Sequence, residues 1–441
     1  MRRLPNGGSG RLTTLAFDSG LARTPLVARD VIADAGYADK EWDSQRTGVT
    51  LGVSGGLKMI TPLTARMQYP VWERVLESAG LSEEAVDQIV EKMKLAYVDW
   101  NENAFPGLLG NVIAGRIANR FDLGGMNSVV DAACASSMSA IHMALLELYA
   151  GRSDMVVTGG VDTLNDIFMH MCFSKTHILS PTGDARPFSK DADGTVLGEG
   201  IGILIFKRLE DAEKDGDKIY AVIRGIGSSS DGKSQSIYAP RLEGQAKALK
   251  MAYERAGVAP SSVTNIETHG TGTQVGDRVE FNALCQVFGN ETSNGQKYAI
   301  GSVKSMIGHT KAAAGAAGLI KTALSLHHKI IPPTLKAENP DPELGIDKSP
   351  FYLNPQSRPW FSNEKSPRRS GVSSFGFGGS NFHVVLEEYQ SQKAEIAWDG
   401  TVEIVALSAP SRDGLNQKLL QFKNRIANGA TAYNFAAAAA E

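Results

Sequence analysis

Only three cysteines, Cys134, Cys172 and Cys285, occur in 441 residues. So sparse and odd a set argues against a disulfide framework and fits a reducing compartment. No uninterrupted apolar run reaches the ~20 residues that a membrane-spanning helix needs. A secretion signal is excluded on similar ground. Met1-Arg2-Arg3 is basic, but Pro5-Asn6-Gly7-Gly8-Ser9-Gly10 stands where an apolar core belongs. Neither sign of charge is in excess: 45 basic residues face 48 acidic ones, for a net charge of −3. That balance gives no drive toward nucleic acid or a membrane surface. The expectation is a soluble, cytoplasmic protein.

Against those absences, 42% of residues are hydrophobic and 21% charged, enough to bury a sizeable core. Thr47-Gly-Val-Thr-Leu-Gly-Val53 reads as a buried strand. Residues 82–96 read as an amphipathic helix capped by Ser82, with Ile89, Met93 and Tyr97 on one face. Asn127 to Asp131 is a short strand, and Cys134 to Tyr149 a helix apolar on nearly every side, which predicts cover all round. Met155 to Thr158 is the next strand. The layout then repeats: Tyr298 to Val303 is a strand, and Lys311 to His328 a helix rich in alanine and glycine. Gly315 and Gly318 weaken that helix in isolation and predict close helix packing. Two strand–turn–helix units predict a duplicated α/β fold. Beyond about residue 390 the pattern changes to a strand over Thr401–Leu407 and a helix capped by Ser411.

Three residues carry the chemistry. Cys134 stands at a strand-to-helix turn in Asp131-Ala-Ala-Cys-Ala-Ser-Ser137. A helix start offers free N–H groups and positive potential, which predicts a lowered thiol pKa. Cys172 and Cys285 lack such a setting and read as small hydrophobes. His269, in Glu267-Thr-His-Gly-Thr-Gly-Thr273, and His309, in Lys304-Ser-Met-Ile-Gly-His309, both follow strands in glycine-rich turns. With Cys134 they admit a zinc site, although the close ligand pairing of structural zinc is missing. Gly198-Glu-Gly-Ile-Gly202 runs into a strand rather than a helix, so it is no dinucleotide loop. Gly376-Phe-Gly-Gly-Ser-Asn381 also runs into a strand and reads as a tight turn bringing an N–H close to a reacting carbonyl.

Together these motifs resemble the β-ketoacyl synthase domain of type I fatty acid and polyketide synthases, from about residue 25 to 390. Residues 131–137 look like the nucleophile motif. Residues 267–273, with Gly276, Asp277 and Glu280, look like the first histidine motif, and 304–309 the second. Residues 376–381 look like the closing glycine-rich loop, with Ser380 where threonine is usual. Arg186-Pro-Phe188 and residues 193–200 fit the same family. Residues 105–116, 159–162 and 171–176 look most like iterative synthases of polyunsaturated fatty acids, with the heterocyst-glycolipid type equally close.

The resemblance implies a thiolase-like α/β fold of two duplicated halves in five layers, as a homodimer. It places the N-terminal half at 25–245, the C-terminal half at 246–390, and the start of a linker toward an acyltransferase domain at 391–441. Residues 1–24 depart from it, and the first strand of the N-terminal half is missing or replaced there. The implied reaction is decarboxylative condensation of a Cys134-bound acyl chain with a malonyl unit on an acyl carrier protein. His269 and His309 would stabilise the enolate, and the N–H groups of Cys134 and Phe377 would form the oxyanion hole. Phe377 would also gate the acyl chain. Lys304 and Glu280 would pair, and Asp277 would support the loop. No metal or diffusible cofactor is implied. No Asp-Ser-Leu attachment sequence occurs, so the carrier must be another domain or protein.

Overall fold

The computed structural model describes residues 19–55, 60–97, 99–102, 104–233, 236–289, 298–361, 367–389 and 407–427. The chain divides into two compact units, residues 1–389 and 390–441.

Two sheets organise the first unit. The first holds β1 (Thr47–Val53), β2 (Asn127–Val130), β3 (Met155–Asp162) and β4 (Gly200–Lys207), in the order β2-β1-β3-β4. β1 runs parallel to β2 and β3, and β4 is antiparallel to β3. Every residue of β1 and β3 is buried, as a parallel sheet covered on both faces requires. The second sheet begins with β5 (Val222–Ser230), β6 (Asn265–Glu267) and β7 (Tyr298–Gly301). A short pair, β8 (Ile330–Ile331) and β10 (Arg358–Pro359), stands apart from it. β9 (Phe351–Leu353), β11 (Arg369–Gly376) and β12 (Ser380–Glu387) complete the order β5-β12-β11-β6-β7-β9.

The repeat anticipated in the sequence is visible in this order. Within the second sheet β7-β6-β11-β12 repeats the order and directions of β2-β1-β3-β4. Two core helices, Ser136–Tyr149 and Ala314–His328, lie between the sheets and touch each other. Further helices cover the outer faces, among them Ser19–Asp34 against β4 and Leu242–Ala256 against β5 and β12. Helix, sheet, helix, sheet and helix make five layers.

Several expectations are corrected. β5 pairs with β12, so Val222–Ser230, read from sequence as part of the first half, belongs to the second sheet. In the first sheet no counterpart of β5 covers β4 among the described residues. That edge faces a groove of about 670 Å³ lined by Leu204, Phe206, Ile223 and Leu324. Residues 1–18 lie outside the described residues, and the first helix already starts at Ser19, inside the stretch read as atypical. Ser82 precedes a helix over Glu83–Leu95 but makes no side-chain cap, and the buried residues there are Val86 and Val90. The Ser136–Tyr149 helix is mostly covered, yet Leu146 is half exposed. The strand expected at 401–407 falls almost wholly outside the described residues. The helix after it spans Arg412–Ala427, where the Ser411 hydroxyl accepts the N–H of Gly414.

Glycine lets the layers close over the first core helix. A Cβ on Gly52 of β1 would sit 2.3 Å from the backbone of Ser136 and Ser137. Backbone cannot yield as a flexible side-chain tip can. Gly52→Ala is therefore expected to lower stability by about 3 kcal/mol, the upper range for overpacking. Gly110→Ala is the control. That residue has helical angles, and its nearest neighbour to an added Cβ is Val53 Cγ1 at 3.9 Å. Its stability should change by less than ~0.5 kcal/mol. Equal denaturation midpoints for the two variants would contradict this account.

Candidate active site

The chain reverses sharply between β2 and the first core helix. Asp131 Oδ1 accepts the N–H of Ala133 at 2.8 Å. Ala133 takes a left-handed φ of 51°. The Ser136 hydroxyl accepts the N–H of Ala132 at 2.9 Å and donates to the Ala133 carbonyl at 2.6 Å. Ser374 of β11 donates to the Cys134 carbonyl at 2.9 Å. This elbow leaves Cys134 partly accessible while Ser136 and Ser137 are buried.

Burial pushes the Cys134 thiol above its ordinary range. The Lys304 charge and hydrogen bonds from the N–H groups of Phe377 and Cys134 itself pull it down without offsetting that penalty. The expected activation by the helix start is thus outweighed by desolvation, and the resting group is a thiol. The two N–H groups assigned to an oxyanion hole both point at the sulfur region.

The second elbow carries His309. Its Nδ1 accepts the N–H of Lys311 at 3.1 Å, so the neutral ring carries its proton on Nε2. The His269 ring lies edge-on to it, 5.5 Å between centroids. His269 Nδ1 is buried without a partner among the described residues. Both histidines are held well below the ordinary imidazole range, first by burial and then by the Lys304 charge. They are neutral donors or acceptors at neutral pH, not cations.

Lys304 and Glu280 do not pair directly among the described residues. They grip the same backbone: Lys304 Nζ donates to the His269 carbonyl, and Glu280 accepts the N–H of His269 at 2.7 Å and of Gly270 at 2.8 Å. Asp277 accepts the N–H of Phe188 at 2.8 Å and of Gly272 at 3.2 Å, fixing the loop after His269. Burial raises both carboxyls to about 7, against these hydrogen bonds. Burial also lowers Lys304, against the pull of Glu267 and Glu280. Glu267 had no role assigned from sequence. It accepts the N–H of Val303 at 2.6 Å and pairs with Lys321 at 2.7 Å, tying β6 to the second core helix. Its neighbours were legible only as a lysine within an alanine- and glycine-rich helix.

Phe377 is two-fifths exposed and packs against Tyr238, the rings tilted at 36° with centroids 4.9 Å apart. Nothing in the sequence motif pointed to Tyr238. Cys172 is exposed, and Cys285 packs beside the core of the second half with its thiol pushed up to about 11 by burial. Neither lies with the histidines. Among the described residues no group of three histidine, cysteine, aspartate or glutamate side chains is disposed to hold a metal.

The chain matches the β-ketoacyl synthase N-terminal domain over residues 24–212 and its C-terminal domain over 220–338. It also matches the ketoacyl-synthetase C-terminal extension over 340–439. It is 47% identical to one of the subunits of the polyunsaturated fatty acid synthase of Thraustochytrium over 375 residues, 84% of this chain and 13% of that protein. It is 43% identical to polyketide synthase PksL of Bacillus subtilis over 282 residues, 64% of this chain and 6% of that protein. The chain thus spans only a small part of these relatives. Among solved structures it resembles the ketosynthase from module 6 of the bacillaene synthase of Bacillus subtilis, at 33% identity and a TM-score of 0.71. That match covers 94% of this chain and 64% of the other. The thiolase-like halves, the two elbows and these matches agree: the chain belongs to the β-ketoacyl synthase family.

Proposed function

We propose that this chain joins an acyl group to a malonyl-type thioester with loss of CO2, using Cys134, His269 and His309. The observation that supports it most is the shared neighbourhood of the three. Lys304 acts on all of them, and the Phe377 N–H meets the cysteine.

In the first half-reaction Cys134 sulfur attacks the carbonyl of an acyl thioester. The oxyanion accepts the N–H groups of Cys134 and Phe377, and the departing phosphopantetheine thiol takes up the proton the cysteine gives up. In the second, the C–C bond of the malonyl unit breaks. CO2 leaves, and its bonding pair moves into the thioester as an enolate. Nε2–H of His309 and the ring of His269 donate to the enolate oxygen. The enolate carbon attacks the Cys134 acyl carbonyl, the C–S bond breaks, the sulfur leaves as thiolate and takes a proton from solvent to restore the resting thiol, and a β-ketoacyl thioester departs. Neutral histidines suit this role, because a hydrogen-bond donor is needed and the rings keep their own protons. The chemistry needs no diffusible cofactor, since acyl groups travel on the phosphopantetheine of a carrier protein.

The partners we infer are an acyl carrier protein, an acyltransferase domain following the 391–441 linker in the parent protein, and a second copy of this chain. Among the described residues no helix is long and apolar enough to cross a membrane. A cytoplasmic location is part of the same proposal.

Division of labour gives one prediction. Cys134→Ala should abolish condensation yet still release CO2 from a malonyl thioester. His309→Ala should slow CO2 release by about 10²–10³-fold, the typical loss for one oxyanion donor. A Cys134→Ala chain that loses decarboxylation, beside a His309→Ala chain that keeps it, would refute the assignment.

The raised thiol gives another. A group above its ordinary value of 9.0 exposes more thiolate at every step up to and beyond that pH. Formation of the Cys134 acyl-enzyme, followed by mass spectrometry, should still be accelerating at pH 9. A plateau below pH 8 would show a thiol activated below its ordinary range.

A further inference from the structure

The second elbow is built like the first but from different residues. Lys311 has a left-handed φ of 47°, as Ala133 has at 51°, and each opens a single tight turn leading into a core helix. In the first elbow the Asp131 carboxylate accepts the N–H two residues on. In the second, His309 Nδ1 accepts the N–H two residues on. The left-handed conformation disfavours a residue with a side chain and persists only where surroundings enforce it. At Ala133 the Asp131 and Ser136 hydrogen bonds do so. At Lys311 the enforcing contacts belong to its own side chain.

That side chain is buried and fully engaged. Its Nζ lies 3.0 Å from Asp162 Oδ1, 2.7 Å from Asn165 Oδ1 and 3.0 Å from the Gly198 carbonyl. All three partners belong to the first half of the molecule. Asp162, at the end of β3, also accepts the N–H of Ala312 at 3.3 Å and of Leu164 at 3.3 Å. His309 itself is tied to the strip beside Gly198: its N–H donates to the Val196 carbonyl at 2.6 Å, and its carbonyl accepts the Gly198 N–H at 2.9 Å. The lysine therefore spans from β3 to the strip that holds His309, while its own N–H reaches the imidazole. A buried ion pair is poor evidence of stabilisation by itself, since desolvation offsets much of the attraction. Geometry is what this one supplies.

We propose that Lys311 is a positioning residue for His309: its side chain, latched to Asp162 and Asn165, holds the left-handed turn that aims the Lys311 N–H at Nδ1. The proposal rests on the reading of His309 as the enolate donor. Losing the latch lets the turn relax. Nδ1 then loses its donor, both tautomers become populated, and Nε2–H is offered to the substrate only part of the time.

The test uses the full chain with three changes. Lys311→Met removes the ammonium but leaves Asp162 buried and unpaired, which threatens the fold. The double variant Lys311→Met with Asp162→Asn removes both charges at once and keeps folding separable from positioning. Lys311→Gly, also combined with Asp162→Asn, frees the backbone to adopt the left-handed angle unaided without leaving a buried charge. Decarboxylation of a malonyl thioester gives kcat and KM, and selectively ¹⁵N-labelled histidine reports the His309 tautomer. Lys311→Met with Asp162→Asn should regain the native melting temperature, with kcat reduced by about 10- to 100-fold, the scale of small misplacements, and KM within twofold. Its His309 signals should show mixed tautomers where the native chain shows Nε2–H alone. Lys311→Gly with Asp162→Asn should recover more of kcat than Lys311→Met with Asp162→Asn. Native kcat and native tautomer in Lys311→Met with Asp162→Asn would overturn the proposal, leaving the pair as two buried charges offsetting one another. An Nδ1–H tautomer in the native chain would overturn it too. His309→Ala run alongside separates the two readings: if it keeps decarboxylation, the donor assignment fails, while the tautomer measurement still decides the role of Lys311.

Discussion

The close approach of the two elbows is the constraint on which the rest depends. They meet at the N-termini of the two core helices, where the Ser137 hydroxyl accepts the N–H of Ala316 at 2.9 Å. No side chain can intrude. A Cβ on Gly315 would fall 2.6 Å from Met138 and 2.8 Å from the Ser137 hydroxyl, and one on Gly160 would fall 2.7 Å from the Ala312 carbonyl. One on Gly376 would fall 2.2 Å from the Ala132 carbonyl, so the closing loop is held to the nucleophile by the same device. This contact, together with the backbone bonds of His309 to Val196 and Gly198, fixes Cys134 of one half against His309 of the other.

Closeness has an electrostatic consequence. Packing that excludes water raises the cost of every charge in the site. It leaves the thiol protonated, both imidazoles neutral, and Asp277 and Glu280 near the midpoint of their titrations at neutral pH. Lys304 is the counterweight, favouring negative charge on sulfur and disfavouring positive charge on the rings. A site of neutral donors beside the buried Lys304 and Lys311 suits a reaction whose transient charge is an oxyanion or enolate. The field is set before substrate arrives and needs no reorganisation afterwards.

How much of this the sequence disclosed follows from what kind of signal each feature leaves. The turns that carry Cys134, His269 and His309 were legible because glycine and small residues flank them. The buried strands were legible from their apolar runs. The ownership of β5 was not, because sheet membership is decided by long-range pairing that periodicity does not encode. The direction of the thiol shift was misjudged for a similar reason: a helix start is visible in sequence, while desolvation depends on what the other half packs over it. Tyr238 and Lys321 carried no local signal, and Asp162 stood out only as the end of the 159–162 motif, with nothing to mark Lys311 as its partner. Each acquires its role through a partner more than fifty residues away.

The duplication also explains why the two halves do different work. Counted from their elbows, Ala312 holds in the second half the position that Cys134 holds in the first, and His309 holds that of Asp131. One half therefore kept a nucleophile over an acidic brace. The other has a methyl group where the sulfur would be and a titratable ring where the brace would be. An imidazole can replace a carboxylate as acceptor for the N–H two residues on, because one ring nitrogen suffices. The carboxylate's other oxygen accepts the N–H of Gly55 at 3.2 Å and has no proton to offer, whereas the imidazole's opposite nitrogen carries the proton that the first hydrogen bond forces onto it. On the proposed assignment a structural turn becomes an enolate donor by a single change of acceptor, and the fold needs no new element to supply the reaction's second half.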